Sequence, residues 1–289
     1  MTAVDIRPYR ERDAEAVVRM YAQAYESDRT LGKISASDWA RYAAASDPAS
    51  AFRLAWAGDH VAGLLTSSRR AEQGLRHIRI VVDPAERRRG IGDALLAAAA
   101  QLDGGALSLQ TLCPGTWTAA RAFYEHAGFR LVEEELSMRA EAPRVEARDV
   151  AGLLLRPAED GDVAHLAALH NEAYEGTRSF VRYDDARMRA VLSDDDARVL
   201  VATRDGAIVG YCHYEPSGVT VHVESLVTAG ATRRRGIGRR LMAASLADAA
   251  RATLTVDADN EAAVGLYRAL GFVESGRSFR YARPAEVRR

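Results

Sequence analysis

Two stretches of this sequence have the make-up of an anion cradle: Arg87-Arg88-Arg89-Gly90-Ile91-Gly92 and Arg233-Arg234-Arg235-Gly236-Ile237-Gly238. Each follows a β-branched run and precedes an amphipathic one, so each is expected to link a strand to a helix. The first turn of a helix carries unpaired N–H groups and about half a positive charge, which suits an anion. Glycine lets the backbone come close to a phosphate, and arginine adds charge and forked donors. The expected chemistry is recognition of a pyrophosphate. No Gly-Lys-Ser/Thr follows either stretch and neither contains Gly-x-Gly-x-x-Gly, which excludes a Walker loop and a dinucleotide fingerprint.

The elements that must position these loops are duplicated with them. Four blocks recur in the same order, at offsets of 149 (Arg7 to Arg156), 147 (Gly63 to Gly210), 146 (Gly90 to Gly236) and 143 (Tyr124 to Tyr267). The first is Arg-Pro with an acidic stretch and an amphipathic run, and the second is a hairpin turning at Gly58-Asp59 or Asp205-Gly206. The third is the arginine-glycine loop, and the fourth pairs Phe123-Tyr124 and Gly128-Phe129 with Leu266-Tyr267 and Gly271-Phe272. Such order implies two copies of one domain. The boundaries are read as 1–143 and 152–289, with a joint near Ala140 to Gly152 that lacks apolar periodicity. In the second copy the expected elements are strand 153–156, helix 163–174, hairpin 199–214, strand 219–228, helix 239–251, strand 253–257, helix 260–270 and strand 272–282. The fold class is α/β (α+β): a mixed sheet flanked by helices in each domain.

Composition narrows the partners. Lys plus Arg (39) balance Asp plus Glu (40), leaving no global basic field for nucleic acid or an anionic membrane. The two cysteines, Cys113 and Cys212, lie in no metal-ligand or redox pattern, so no metal is expected. Residues 1–10 are charged where a signal peptide is apolar, and no run reaches the ~18 apolar residues of a membrane span, so a cytoplasmic protein is expected.

The pattern Arg-x-x-Gly-x-Gly, then Phe/Leu-Tyr and Gly-Phe farther on, resembles the GNAT superfamily of N-acetyltransferases, in its tandem form. The resemblance covers both halves and is strongest from Val219 to Phe272. It implies acetyl-CoA as co-substrate, its pyrophosphate on the loop and its pantetheine between two splayed strands. Acetyl then passes directly to an amine, the acceptor being a small molecule or a peptide terminus.

The site residues follow by resemblance. In the second half the cofactor would meet Leu226, Val227, Thr228, Arg233, Arg234, Arg235, Gly236, Ile237, Gly238, Arg239, Asn260 and Tyr267. Glu224 is the first candidate for the base that deprotonates the amine and His222 the second; Glu224 remains open as a substrate anchor. Tyr267 is the expected acid toward the departing thiolate, and Asn260 the cap of the last helix. A carboxylate on the following strand is not expected, because Thr255 stands there. The first half keeps Val81, Val82, Arg87, Arg88, Arg89, Gly90, Ile91, Gly92, Asp93 and Tyr124 as cofactor contacts. It has Arg76 and Ile78 in place of the base candidates and Trp117 in place of Asn260, with His77 facing away. It is therefore expected to be catalytically degenerate. Acceptor choice is assigned to residues 171–183. Other readings are an acetyltransferase of small amines or antibiotics, and a non-catalytic acetyl-CoA sensor.

Overall fold

In the computed structural model, residues 4–47, 51–143, 149–177 and 180–285 are described; residues 144–148 of the expected joint and Arg178 and Ser179 of the acceptor segment lie outside them. The chain divides into two units. The first contains β1 (Val4–Pro8), α1 (Ala14–Ser27), α2 (Ala36–Ala44), β2 (Arg53–Ala57), β3 (His60–Arg70), β4 (Leu75–Val82), α3 (Ile91–Gln101), β5 (Ser108–Pro114) and α4 (Thr118–His126). The second contains most of β6 (Arg130–Glu141), then β7 (Leu153–Pro157), α5 (Val163–Tyr174), α6 (Asp185–Leu192), β8 (Arg198–Arg204), β9 (Ala207–Ser217), β10 (Thr220–Thr228), α7 (Ile237–Ser245), β11 (Arg251–Asp257) and α8 (Glu261–Ala269). The last strand, β12, spans Val273–Arg283.

The units are not the two sequential segments 1–143 and 152–289. Unit 1 ends at Val132 and resumes at Ser278, and unit 2 runs from Glu133 to Arg277. In unit 1 the strands lie in the order β1-β2-β3-β4-β5-β12, and in unit 2 β7-β8-β9-β10-β11-β6. Each unit thus takes its final strand from the other copy of the repeat. Tyr281 of β12 is seated in the first unit, where its hydroxyl donates to Glu125 Oε1 at 2.6 Å and accepts from Arg121 Nε at 3.3 Å. These contacts tie β12 to α4 of the first unit.

Within each unit every neighbouring pair is antiparallel except one. The strands β4 and β5 run parallel but pair only over Leu75–His77, and β10 and β11 only over Thr220–Val223. Both pairs continue unpaired for several residues, which opens a gap in the sheet. Helices cover the two faces. In unit 2, Val221, Val223, Leu254 and Leu136 bury against Ile237, Leu241 and Tyr267 on one face, while Val201, Tyr211 and Val227 bury against Val163, Leu166 and Met188 on the other. In unit 1 the corresponding layers are Ile78, Leu109 and Tyr281 against Ile91 and Leu95, and Leu54, Leu64 and Val81 against Val17, Met20 and Trp39.

Two helices, α2 and α6, go beyond the sequence reading, and α7 starts two residues earlier and ends six residues earlier than the helix 239–251. Both added helices begin at a capping side chain, Ser35 accepting from Asp38 N and Asp184 accepting from Arg187 N. The Asp205-Gly206 turn forms as expected, with φ of 51° and 79°.

Candidate active site

The arginine-glycine loops share an unexpected backbone. The second arginine of each is left-handed, Arg88 at φ 64° and Arg234 at φ 63°, as are Gly90 (79°) and Gly236 (85°) two residues on. A non-glycine residue held there costs on the order of 1 kcal/mol, a strain kept where it serves a site. Alternation of hand along a backbone can turn successive N–H groups to one side, the arrangement found in anion-binding nests. No side chain caps α3 or α7, whose N-cap residues are Gly90 and Gly236. Gly238 faces inward: a Cβ there would sit 3.5 Å from Leu266 and 3.6 Å from Leu226, so its contribution is its N–H. Val227 and Val81 are buried under α5 and α1, which leaves only their backbone for a ligand.

The two loops differ in charge. Arg233, Arg234, Arg235 and Arg239 make no salt bridge among the described residues. In unit 1, Arg89 is bound by Glu86 at 2.8 Å, and Asp93 stands in the first turn of α3 where unit 2 has Arg239. A carboxylate at that place repels a phosphate. The cradle of unit 2 is the more cationic.

Beyond the paired stretch, β10 carries a β-bulge. Val223 lies opposite Tyr214 and Ser225 opposite His213, so Glu224 has no opposite residue. Glu224 therefore protrudes at the point where β10 leaves β11. Its Oε1 is 3.4 Å from His222 Nε2, and His222 Nδ1 is 2.8 Å from Thr253 Oγ1. Ladder register puts His222, Ser225, Tyr211, His213 and Asp257 on one face. His213 Nε2 is buried with no hydrogen-bond partner among the described residues. Asp257 lies opposite Glu135 in the β11–β6 ladder. Burial first, then Glu133, Glu135 and Asp259, push its pKa up to about 7. The expectation that the following strand offers no carboxylate is thus corrected: Asp257, two residues past Thr255, occupies this face.

The acceptor segment is closed by a small scaffold. Asn171 donates from Nδ2 to Tyr183 O and accepts from Tyr183 N, both at 2.8 Å. This stacks Tyr183 on His170 at 3.9 Å, and His170 Nδ1 lies 2.7 Å from the Tyr211 hydroxyl. Burial, with Arg187 and His213, lowers the His170 pKa to about 4, so this imidazole is neutral at physiological pH. On the opposite face Tyr267 is 7% exposed, and burial raises its pKa. No hydrogen bond of the Tyr267 hydroxyl is present among the described residues. Asn260 caps α8, its Oδ1 accepting from Ala263 N at 3.1 Å.

Ladder register corrects the equivalences expected for unit 1. His222 pairs with Thr253 and His77 with Gln110, positions related by the same 143-residue offset as Tyr267 and Tyr124. The counterpart of His222 is therefore His77, not Arg76, and that of Val223 is Ile78. Glu224 is an inserted residue with no counterpart, and the insertion shifts the apparent parity by one. His77 faces the cleft of its unit, whereas Arg76 points to the other face, donating to Asp103 at 2.8 and 2.6 Å and to Ser67 at 2.7 Å. Tyr124 differs too. Burial raises its pKa, opposed by hydrogen bonds to Thr111 and the Ile80 backbone, so its hydroxyl is already engaged. Trp117 precedes α4 without capping it.

Comparisons with known proteins agree with this geometry. The profile of the Acetyltransferase (GNAT) family matches residues 163–272, and that of the Acetyltransferase (GNAT) domain matches residues 48–131. A mycothiol acetyltransferase of Clavibacter sepedonicus is 30% identical over 220 residues, 71% of each chain. One from Sanguibacter keddieii is 26% identical over 98% of this chain and 97% of its own. Among solved structures, a GCN5-related N-acetyltransferase from Sphaerobacter thermophilus superposes with a TM-score of 0.78 at 21% identity, over 97% of this chain and 95% of that one, which supports the fold. The split sheet, the paired arginine-glycine cradles and these matches together make the protein a tandem member of the GNAT acetyltransferase family.

Proposed function

We propose that unit 2 is the catalyst and that it moves acetyl from acetyl-CoA directly to a primary amine. The observation that carries this is the bulge at Glu224, which puts a carboxylate at the mouth of the gap between β10 and β11, with a Tyr267 hydroxyl on the other face that makes no hydrogen bond among the described residues. Acetyl-CoA supplies an activated thioester. The nest at Arg234–Gly236 and its unpaired arginines would hold the pyrophosphate, and the gap would admit the pantetheine arm. The acidic face of Asp257, Glu133, Glu135 and Glu224 would draw in an ammonium group. Glu224, with His222 beside it, takes the amine's proton before the nitrogen attacks the thioester carbonyl. As the carbon–sulfur bond breaks, Tyr267, kept protonated by its burial, gives its proton to the sulfur. The matched relatives are named mycothiol acetyltransferases, which supports an amine from mycothiol chemistry as the first acceptor to try.

The test is release of free CoA thiol by the full chain, measured with a panel of amines that includes cysteinyl glycosides. Amine-dependent release is expected, and it should fall at least ten-fold in Tyr267→Phe, the usual scale for a lost general acid. Acetyl-CoA binding without turnover on any amine would instead make the protein a sensor.

A further inference from the structure

The cleft of unit 1 is built on the same ladder as that of unit 2 but with the opposite charge. The register places Pro114 opposite Ser278, where unit 2 has Asp257 opposite Glu135. Arg79 stands where unit 2 has Ser225, and Trp117 where it has Asn260. The acid pair that suits an ammonium group in unit 2 is gone, and a guanidinium has arrived.

Arg79 lines a cavity of about 430 Å³ together with His77, Thr66 and Ser68, and no carboxylate is among its lining residues. The guanidinium carbon lies 5.5 Å from the Trp117 ring centre and 5.9 Å from that of Tyr21. Two aromatic rings and a hydrogen bond to the Tyr21 hydroxyl thus restrain this exposed guanidinium, while no salt bridge to it exists among the described residues. A guanidinium has five N–H donors, so the one given to Tyr21 leaves a pair for a planar oxyanion, and a carboxylate matches that fork with two parallel bonds. Leu31 and Leu112 add apolar wall for an organic body. Burial, Arg280 and Arg70 push the pKa of His77 down to about 4, which leaves it a neutral hydrogen-bonding group beside a cationic floor. A cationic amine is repelled by such surroundings.

We infer that the cleft of unit 1 is a binding site for a small organic carboxylate, held by Arg79 between Trp117 and Tyr21. The site goes beyond the transfer reaction proposed for unit 2 and does not depend on it.

The experiment uses the full chain saturated with CoA, so that anions are kept from the cradles. Benzoate, benzylamine (the same ring with the opposite charge) and inorganic phosphate are titrated while the indole N–H resonance of Trp117 is followed, assigned by its loss in Trp117→Phe. Benzoate is expected to shift that resonance saturably, benzylamine to leave it unmoved, and Arg79→Gln to weaken benzoate by roughly ten-fold or more. Arg79→Lys, which keeps the charge but loses the fork, should bind more weakly than the parent and more tightly than Arg79→Gln; it also serves if the glutamine variant fails to fold. Acetyl transfer by unit 2 should be the same in all variants. Benzoate binding that survives Arg79→Gln, equal binding of benzylamine, a response to phosphate alone, or no shift with benzoate would each overturn the inference.

Discussion

Replacing Asp257 by asparagine should stabilise the protein at alkaline pH more than at acid pH. Asp257 faces Glu133 and Glu135 across the edge of unit 2, and burial and these neighbours raise its pKa from 3.8 to about 7. A carboxyl with a raised folded pKa binds more protons in the native state than in the unfolded one. Stability is therefore lost as pH climbs from the unfolded value toward the folded one. The full shift of about 3 units corresponds to roughly 4 kcal/mol at ~1.36 kcal/mol per unit. Asp257 is only half-buried, so solvent screening cuts this to about 1–2 kcal/mol. More than half of the loss accrues between about pH 5 and pH 8, where the native carboxyl gives up its proton. Asparagine keeps a donor for Glu133 and removes the charge. Thermal melts of the parent and Asp257→Asn at pH 5 and pH 8 should differ by a few degrees more at pH 8, with the variant higher. An equal difference at both pH values would mean that the carboxylate cluster does not share a proton as the geometry implies. The same variant should raise KM for a cationic acceptor, because it removes one charge from the floor of the cleft.

Tyr124→Phe should leave turnover unchanged and cost about 1 kcal/mol of stability, since its hydroxyl is spent on Thr111 and Ile80, whereas Tyr267→Phe should lower kcat about ten-fold or more; equal kinetic losses in a steady-state assay would remove the asymmetry between the units. Glu224→Gln should lower kcat and abolish the acidic limb of the pH–rate profile, with His222→Gln having a smaller effect; if the limb vanishes only in the histidine variant, His222 is the base. Asp93→Arg should tighten acetyl-CoA binding to unit 1 by several-fold, because it removes the acid from the first turn of α3 and restores the charge that Arg239 supplies in unit 2; calorimetry showing no gain would refute the charge comparison of the cradles.

What the sequence determined by itself was local. The two cradles, the Asp-Gly turn, the Asn260 cap and the repeat all follow from residues within a few positions of each other, where propensity and hydrogen bonding act directly. The family resemblance rested on those same short blocks, and through it Glu224, His222 and Tyr267 could be named. The helices α2 and α6 were legible in principle from their caps, Ser35 and Asp184, but their apolar faces are short. What only the tertiary structure decided depended on register between strands far apart in the chain. The bulge inserts one residue at Glu224, and its presence shows only when β10 is laid against β9; without it His77 seems to face away and Arg76 seems to replace His222. Asp257 gains its raised pKa from Glu133 and Glu135 on β6, more than a hundred residues earlier, which no local window contains. Likewise β6 and β12 carry similar patterns, and which unit each completes shows only in the pairing of strands far apart in the chain. Local chemistry is written in neighbouring residues, whereas the charge and parity of a cleft are set by which strand lies beside which.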